Sequence, residues 1–125
     1  MIGIDVERRS DLSVAKPRGD IDAANASQLR EELANCLTPD ADILVLDLSA
    51  TGYVDSAGID MLFRLNERLR QRRARLLLVI PPGSQLARLV EIVALDRAVA
   101  IHDSVEAALE ADAAGTAPRP GSEGD

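Results

Sequence analysis

Two runs of almost unbroken aliphatic residues, Ile43-Leu44-Val45-Leu46-Asp47-Leu48 and Leu76-Leu77-Leu78-Val79-Ile80, flank a stretch of helical periodicity. An alternating strand can leave one face in water, but a run apolar at every position needs cover on both faces. That is the signature of central strands in a parallel sheet. Two parallel strands need a crossover between them, and the intervening segment supplies one. From about Ser56 to Arg72 it carries Ile59, Leu62, Phe63, Asn66 and Leu69 as an inner stripe. The chain is therefore expected to be α/β, with helices packed over a mostly parallel sheet.

The remaining segments extend this pattern. Ile2, Ile4 and Val6 alternate with Gly3, Asp5 and Glu7, a half-buried strand with period two. Leu12, Val14 and Lys16 continue after a turn at Ser10-Asp11, which pairs the two as an antiparallel hairpin. Pro17 offers no N–H to a ladder, so the second strand is expected near an edge or at an irregularity. A first helix over about 24–37 has Leu29, Leu33, Cys36 and Leu37 on its apolar side and Asn25 or Ser27 as candidate caps. A third helix is expected over about 84–93 and a last strand at Val99-Ala100-Ile101. A final helix, capped by Asp103 or Ser104, runs to about Asp112. The order is β-β-α-β-α-β-α-β-α, one domain over 1–113. From Ala114 to Asp125, Gly, Pro, Ser and Ala dominate, and a disordered tail is expected.

Composition narrows the function. The chain has 125 residues, enough for one core. With one Tyr, one Phe and no Trp, that core must be aliphatic. The shortage of aromatics also argues against single-stranded nucleic-acid binding, and a net charge of -7 opposes any phosphate backbone. Cys36 is the single cysteine, so neither an internal disulfide nor a cysteine metal cluster can form. It falls on an apolar face and reads as a core thiol in a reducing compartment. No run approaches the ~20 apolar residues of a membrane span. The N-terminus does not read as a signal peptide, and a cytoplasmic location is expected. Five arginines, Arg68, Arg70, Arg72, Arg73 and Arg75, cluster where the second helix should end and complement its dipole there.

The segment with chemical promise joins the first aliphatic strand to the helix after it: Asp47-Leu48-Ser49, then Val54-Asp55-Ser56-Ala57-Gly58. Ser56 falls where loop becomes helix, near the unbonded N–H groups of a first turn, which favour negative charge. Serine is also a preferred N-cap, so these residues alone allow either a cap or a phosphate acceptor. A phosphate would add ~1.5–2 negative charges beside Asp55, Asp60 and Asp22. Ala57 and Gly58 are small enough to let another backbone come close.

Two rival chemistries fail on residue types. A phosphoaccepting aspartate at Asp47 would need a late lysine, and the only lysine is Lys16. A hydrolase built on Ser56 would have His102 as its sole candidate base and lacks the first glycine of a Gly-x-Ser-x-Gly elbow. His102, at a strand end, is expected to be solvated or locally paired. One histidine and scattered carboxylates give no metal-ligand spacing.

Four pieces in order resemble the STAS family, and within it the bacterial anti-sigma factor antagonists. They are Gly19-Asp20-Ile21-Asp22, the strand Leu44 to Ser49, Val54-Asp55-Ser56-Ala57-Gly58, and Leu95-Asp96 followed by Ile101 to Leu109. The resemblance covers about 4–109. It implies a STAS fold: a mixed sheet with an N-terminal antiparallel strand and about four packed helices. It also implies a binding protein, not an enzyme, that takes no cofactor and no metal. Unphosphorylated, such a protein binds an anti-sigma factor that is also an ATP-dependent serine kinase, and so frees a sigma factor. Phosphorylation of Ser56 would end that binding, and a metal-dependent serine phosphatase would restore it. Asp22, Asp55, Ser56, Ala57, Gly58 and Asp60 would form the partner surface of a monomer that binds neither nucleic acid nor membrane. The alternative within the family is a STAS module that works without phosphorylation, in a stress-signalling scaffold or a lipid-transport complex. Ala94 departs from the family pattern by standing where a glycine commonly precedes the Leu-Asp pair. A slightly longer third helix is expected in consequence.

Overall fold

The computed structural model describes residues 2–9, 11–39 and 41–113. The tail expected to be disordered from Ala114 lies outside the described residues. The elements run β1 (Gly3–Arg9), β2 (Leu12–Arg18), α1 (Ala26–Ala34), β3 (Ile43–Asp47), α2 (Ser56–Gln71), β4 (Arg75–Val79), α3 (Gln85–Ile92), a 3-10 turn (Leu95–Arg97), β5 (Ala100–His102) and α4 (Val105–Ala113). The five strands form one sheet in chain order. β1 and β2 are antiparallel, with Ile4 opposite Pro17, and every later pair is parallel.

The aliphatic runs occupy the centre because both their faces are covered. Leu44, Leu46, Leu76 and Leu78 face Leu29 and Leu33 of α1 and Leu62, Leu65 and Leu69 of α2. The alternate residues Ile43, Val45, Leu77 and Val79 face the other way, toward Val105, Ala108 and Leu109 of α4. Strand pleating thus divides each run between two cores. Cys36 is buried, free and pushed above the ordinary thiol range by that burial.

β2 lies beside the edge strand β1, near the edge as Pro17 leads one to expect. Pro17 is tolerated because the β2–β3 pairing ends at Ala15 and Leu46, so its missing N–H breaks no bond to β3. α3 is not lengthened by Ala94: it ends at Ile92, and Ala94 takes a left-handed backbone with φ 61°. His102 is neither solvated nor locally paired at Nε2, which is enclosed and has no partner among the described residues. The residue is half-buried on β5, opposite Val79. The strongest burial effect on an imidazole is to disfavour its charge, and the His102 pKa is lowered accordingly, partly offset by Asp103.

The arginine cluster is spread among partners. Arg68 pairs with Glu31 of α1, Arg72 donates to the Ala34 carbonyl at 3.2 Å, and Arg75 pairs with Asp112 of α4 at 2.6 Å. Arg68 and Arg70 do lie in the last turn of α2, as the dipole reading expects.

Candidate functional site

Two loops at the C-terminal end of the sheet carry the sequence-predicted residues, and backbone bonds lace them together. Ile21 and Val54 form a parallel bridge. The Ile21 N–H donates to the Tyr53 carbonyl at 2.9 Å, and the Asp55 N–H donates to the Ile21 carbonyl at 3.1 Å. The Asp20–Asp22 segment and the Ser56 loop are therefore one structural unit, although more than 30 residues separate Asp22 from Asp55.

Asp55, not Ser56, caps α2. Its Oδ1 accepts from the Gly58 N–H at 2.9 Å, and its Oδ2 accepts from the Ala23 N–H at 3.2 Å. One carboxylate thus fastens the helix end and the neighbouring loop. Ser56 becomes the first helical residue, and it is exposed. Among the described residues none bonds its hydroxyl. The two roles that the sequence left open to one serine are divided between adjacent residues.

Asp22 also serves the backbone. Its Oδ1 accepts from the Ala24 N–H at 2.9 Å, and its carbonyl accepts from the Asn25 and Ala26 N–H groups. Asn25 stands at the cap position of α1 without capping it by side chain. Its amide reaches back instead, accepting from the Asp22 N–H and donating to the Asp20 carbonyl. Asp60 lies one turn beyond Ser56 and pairs with Arg64 at 2.6 Å on an exposed face. Asp47 is buried and accepts from the Ser49 N–H.

Gly58 is buried, and its small size has an internal cause. A Cβ there would stand 2.5 Å from the Val54 Cγ1 and 3.1 Å from the Ile21 carbonyl oxygen. The glycine lets α2 approach the bridged loops closely. Ala57 is half-buried and packs against the main core. Ser56, Asp60 and part of Asp22 and Asp55 face outward. Tyr53, exposed beside them, is absent from the sequence-predicted set. A lone tyrosine in a loop gives no periodic signal, and only its exposure marks it.

A model of the STAS domain matches residues 3–108. The chain belongs to the STAS domain family. This STAS domain is 31% identical over 106 residues to an anti-sigma-B factor antagonist of Listeria monocytogenes, covering 82% of this chain and 90% of that protein. It is 32% identical over 92 residues to sulfate transporter 3.2 of Arabidopsis thaliana, where it covers 65% of this chain and spans only 14% of the transporter. Among solved structures, an anti-sigma factor antagonist from Mycobacterium paratuberculosis superimposes with a TM-score of 0.77 at 25% identity, over 89% of this chain and 93% of that one. Among the described residues no helix is long and apolar enough to cross a membrane.

Proposed function

We propose that this STAS domain is an anti-sigma factor antagonist in the cytoplasm, switched by phosphorylation of Ser56. Unphosphorylated, it binds an anti-sigma factor that is also a serine kinase, and so releases a sigma factor. The kinase phosphorylates Ser56 and lets go, and a metal-dependent phosphatase resets the domain. The domain itself is a substrate and a binding partner, not a catalyst.

The observation that carries this reading is the division of labour at the start of α2. Asp55 already holds the helix end, so the Ser56 hydroxyl is exposed and spare. A phosphate there meets the positive end of a 16-residue helix and the remaining N–H groups of its first turn. The fold is not asked to give up any bond. Against a partner, the same phosphate adds ~1.5–2 charges. It does so beside Asp60 and opposite a kinase site that must itself hold nucleotide phosphates. The match to anti-sigma factor antagonists over most of both chains supports the same partner class.

The test is direct. With the cognate kinase and ATP, mass spectrometry is expected to place one phosphate on Ser56 and none on Ser56→Ala. Ser56→Asp is expected to bind the kinase at least about tenfold more weakly with an unchanged urea midpoint. Phosphate found on another residue, or undiminished binding by Ser56→Asp, rules the mechanism out. The match within a plant sulfate transporter shows that a similar segment also occurs inside a larger protein, and a second reading is an interaction module that works without phosphorylation. That reading expects no label at all.

A further inference from the structure

We propose that Asp55 is a positioning residue for the phosphorylation of Ser56: it keeps the Ser56 hydroxyl out of the helix cap that the serine would otherwise fill. This rests on the switch reading given above. The start of α2 has one capping place and two side chains able to take it. An N-cap side chain accepts from the backbone N–H of the second or third residue after it. Asp55 reaches Gly58 as the third, at 2.9 Å, from an extended backbone with φ -89° and ψ -173°. Ser56 stands two residues before the same Gly58, and serine ranks with aspartate as a cap. Gly58 is buried, so its N–H needs an acceptor within the protein. Without the Asp55 carboxylate, the adjacent acceptor is the Ser56 hydroxyl.

The second carboxylate oxygen decides the contest. Asp55 Oδ2 accepts from the Ala23 N–H at 3.2 Å, in a loop that backbone bonds of Ile21 already tie to Tyr53 and Asp55. A serine has one oxygen and cannot make both bonds. Both oxygens of Asp55 are thereby committed to this chain's own backbone, and Asp55 is half-buried. Its part in the switch is to hold the serine in place, and the partner reads the serine.

The consequence is chemical. Transfer from ATP forms a bond between Ser56 Oγ and the γ-phosphorus and breaks the bond from that phosphorus to the oxygen it shares with the β-phosphate. The hydroxyl proton goes to a base of the kinase. Oγ must therefore offer a lone pair outward. As the first helical residue Ser56 is exposed, and its hydroxyl is free among the described residues. As a cap it would leave the helical backbone conformation, turn Oγ over the helix end and lend a lone pair to Gly58. The kinase would then find a competent serine in only a fraction of the molecules, and its kcat/KM would fall by that fraction.

The experiment compares wild type, Asp55→Ala, Asp55→Asn, Ser56→Ala and the double variant Asp55→Ala with Ser56→Ala. With the cognate kinase and ATP, Asp55→Ala is expected to lower kcat/KM for Ser56 about tenfold, the size of a lost cap. Asp55→Asn removes the charge but keeps a capping oxygen, and it recovers most of that loss. In the free chain, the Ser56 α- and β-carbon chemical shifts are helical in wild type and Asp55→Asn. They move toward extended-backbone values in Asp55→Ala. The urea midpoints close a double-mutant cycle: Asp55→Ala lowers the midpoint further on Ser56→Ala than on wild type, because only wild type has a serine to take the cap. Equal losses in the cycle, with Ser56 still helical in Asp55→Ala, overturn the assignment and leave the switch reading standing. If Asp55→Asn is as poor a substrate as Asp55→Ala while its Ser56 shifts stay helical, the carboxylate is a charge contact for the kinase, and the assignment falls. A wild-type chain that takes no label on Ser56 sinks the switch reading and this assignment together.

Discussion

At the residue scale, the site depends on which of two neighbours does the structural work. Asp55 bonds two backbone N–H groups, so Ser56 is released from capping. Gly58 is the less obvious requirement. Gly58→Ala would gain about 1 kcal/mol of helix propensity. It would also force Val54 and the Ile21 carbonyl apart, an overpacking cost of about 1–3 kcal/mol. A net loss on the order of 1 kcal/mol is expected, read as a lower urea midpoint with the m-value unchanged. A midpoint equal to or above wild type would show that the loops have room to spare. The pattern put Asp55, Ser56 and Asp60 together because strand–loop–helix punctuation is local, whereas Asp22 came with the family resemblance. It could not tell a glycine kept small for a partner from one kept small for its own core. That distinction lies in contacts between Ile21 and Gly58, far apart in the chain.

At the element scale, two helices end without the glycine that makes a left-handed C′ residue inexpensive. Arg73 has φ 59° and Ala94 φ 61°. After α2, the Ala74 N–H reaches the Leu69 carbonyl and the Arg73 N–H the Arg70 carbonyl, the bonding of a Schellman stop. An L side chain at that position costs about 1 kcal/mol. Ala94→Gly and Arg73→Gly are each expected to stabilise by about 0.5–1 kcal/mol, measured by urea denaturation. Ala98→Gly is the contrast, since Ala98 has φ -98° and needs no such freedom; it should lose stability. The elements themselves were legible, because apolar runs and helical stripes are local patterns. Their ends were less so. Ala94 was expected to let the helix continue, whereas the chain turns there at a conformational cost to deliver Leu95 into the core. Pro17 puts β2 near an edge, as it is, and the register with β3 adds that the proline lies past the last shared pair.

At the scale of the whole molecule, a single histidine gives a clean reporter of folding against pH. Histidine is the side chain whose ordinary pKa puts its charge change near neutrality, and the chain has one. The Cys36 thiol titrates above its already alkaline ordinary range and stays out of the window. Burial lowers the His102 pKa in the folded protein below its ordinary 6.5, because Nε2 is enclosed without a partner to share a proton. The unfolded chain then binds the proton more readily than the folded one. Stability contributed by neutral His102 is therefore fully present above pH 6.5. It falls as pH drops through that value, until the folded imidazole titrates in turn. The urea midpoint of wild type is expected to be lower at pH 5.5 than at pH 7.5, above the range where most carboxylates titrate. His102→Gln should flatten that difference while retaining whatever slope the N-terminal amine contributes. A wild-type midpoint that holds or rises on acidification would mean that the folded protein accepts the proton as readily as the open chain, and that Nε2 reaches water or a carboxylate in solution. The expected slope matters for the switch as well. His102 closes β5 beside β4, on the same sheet that sets the loops of Ser56, so acid weakening at this residue reaches the site through the fold.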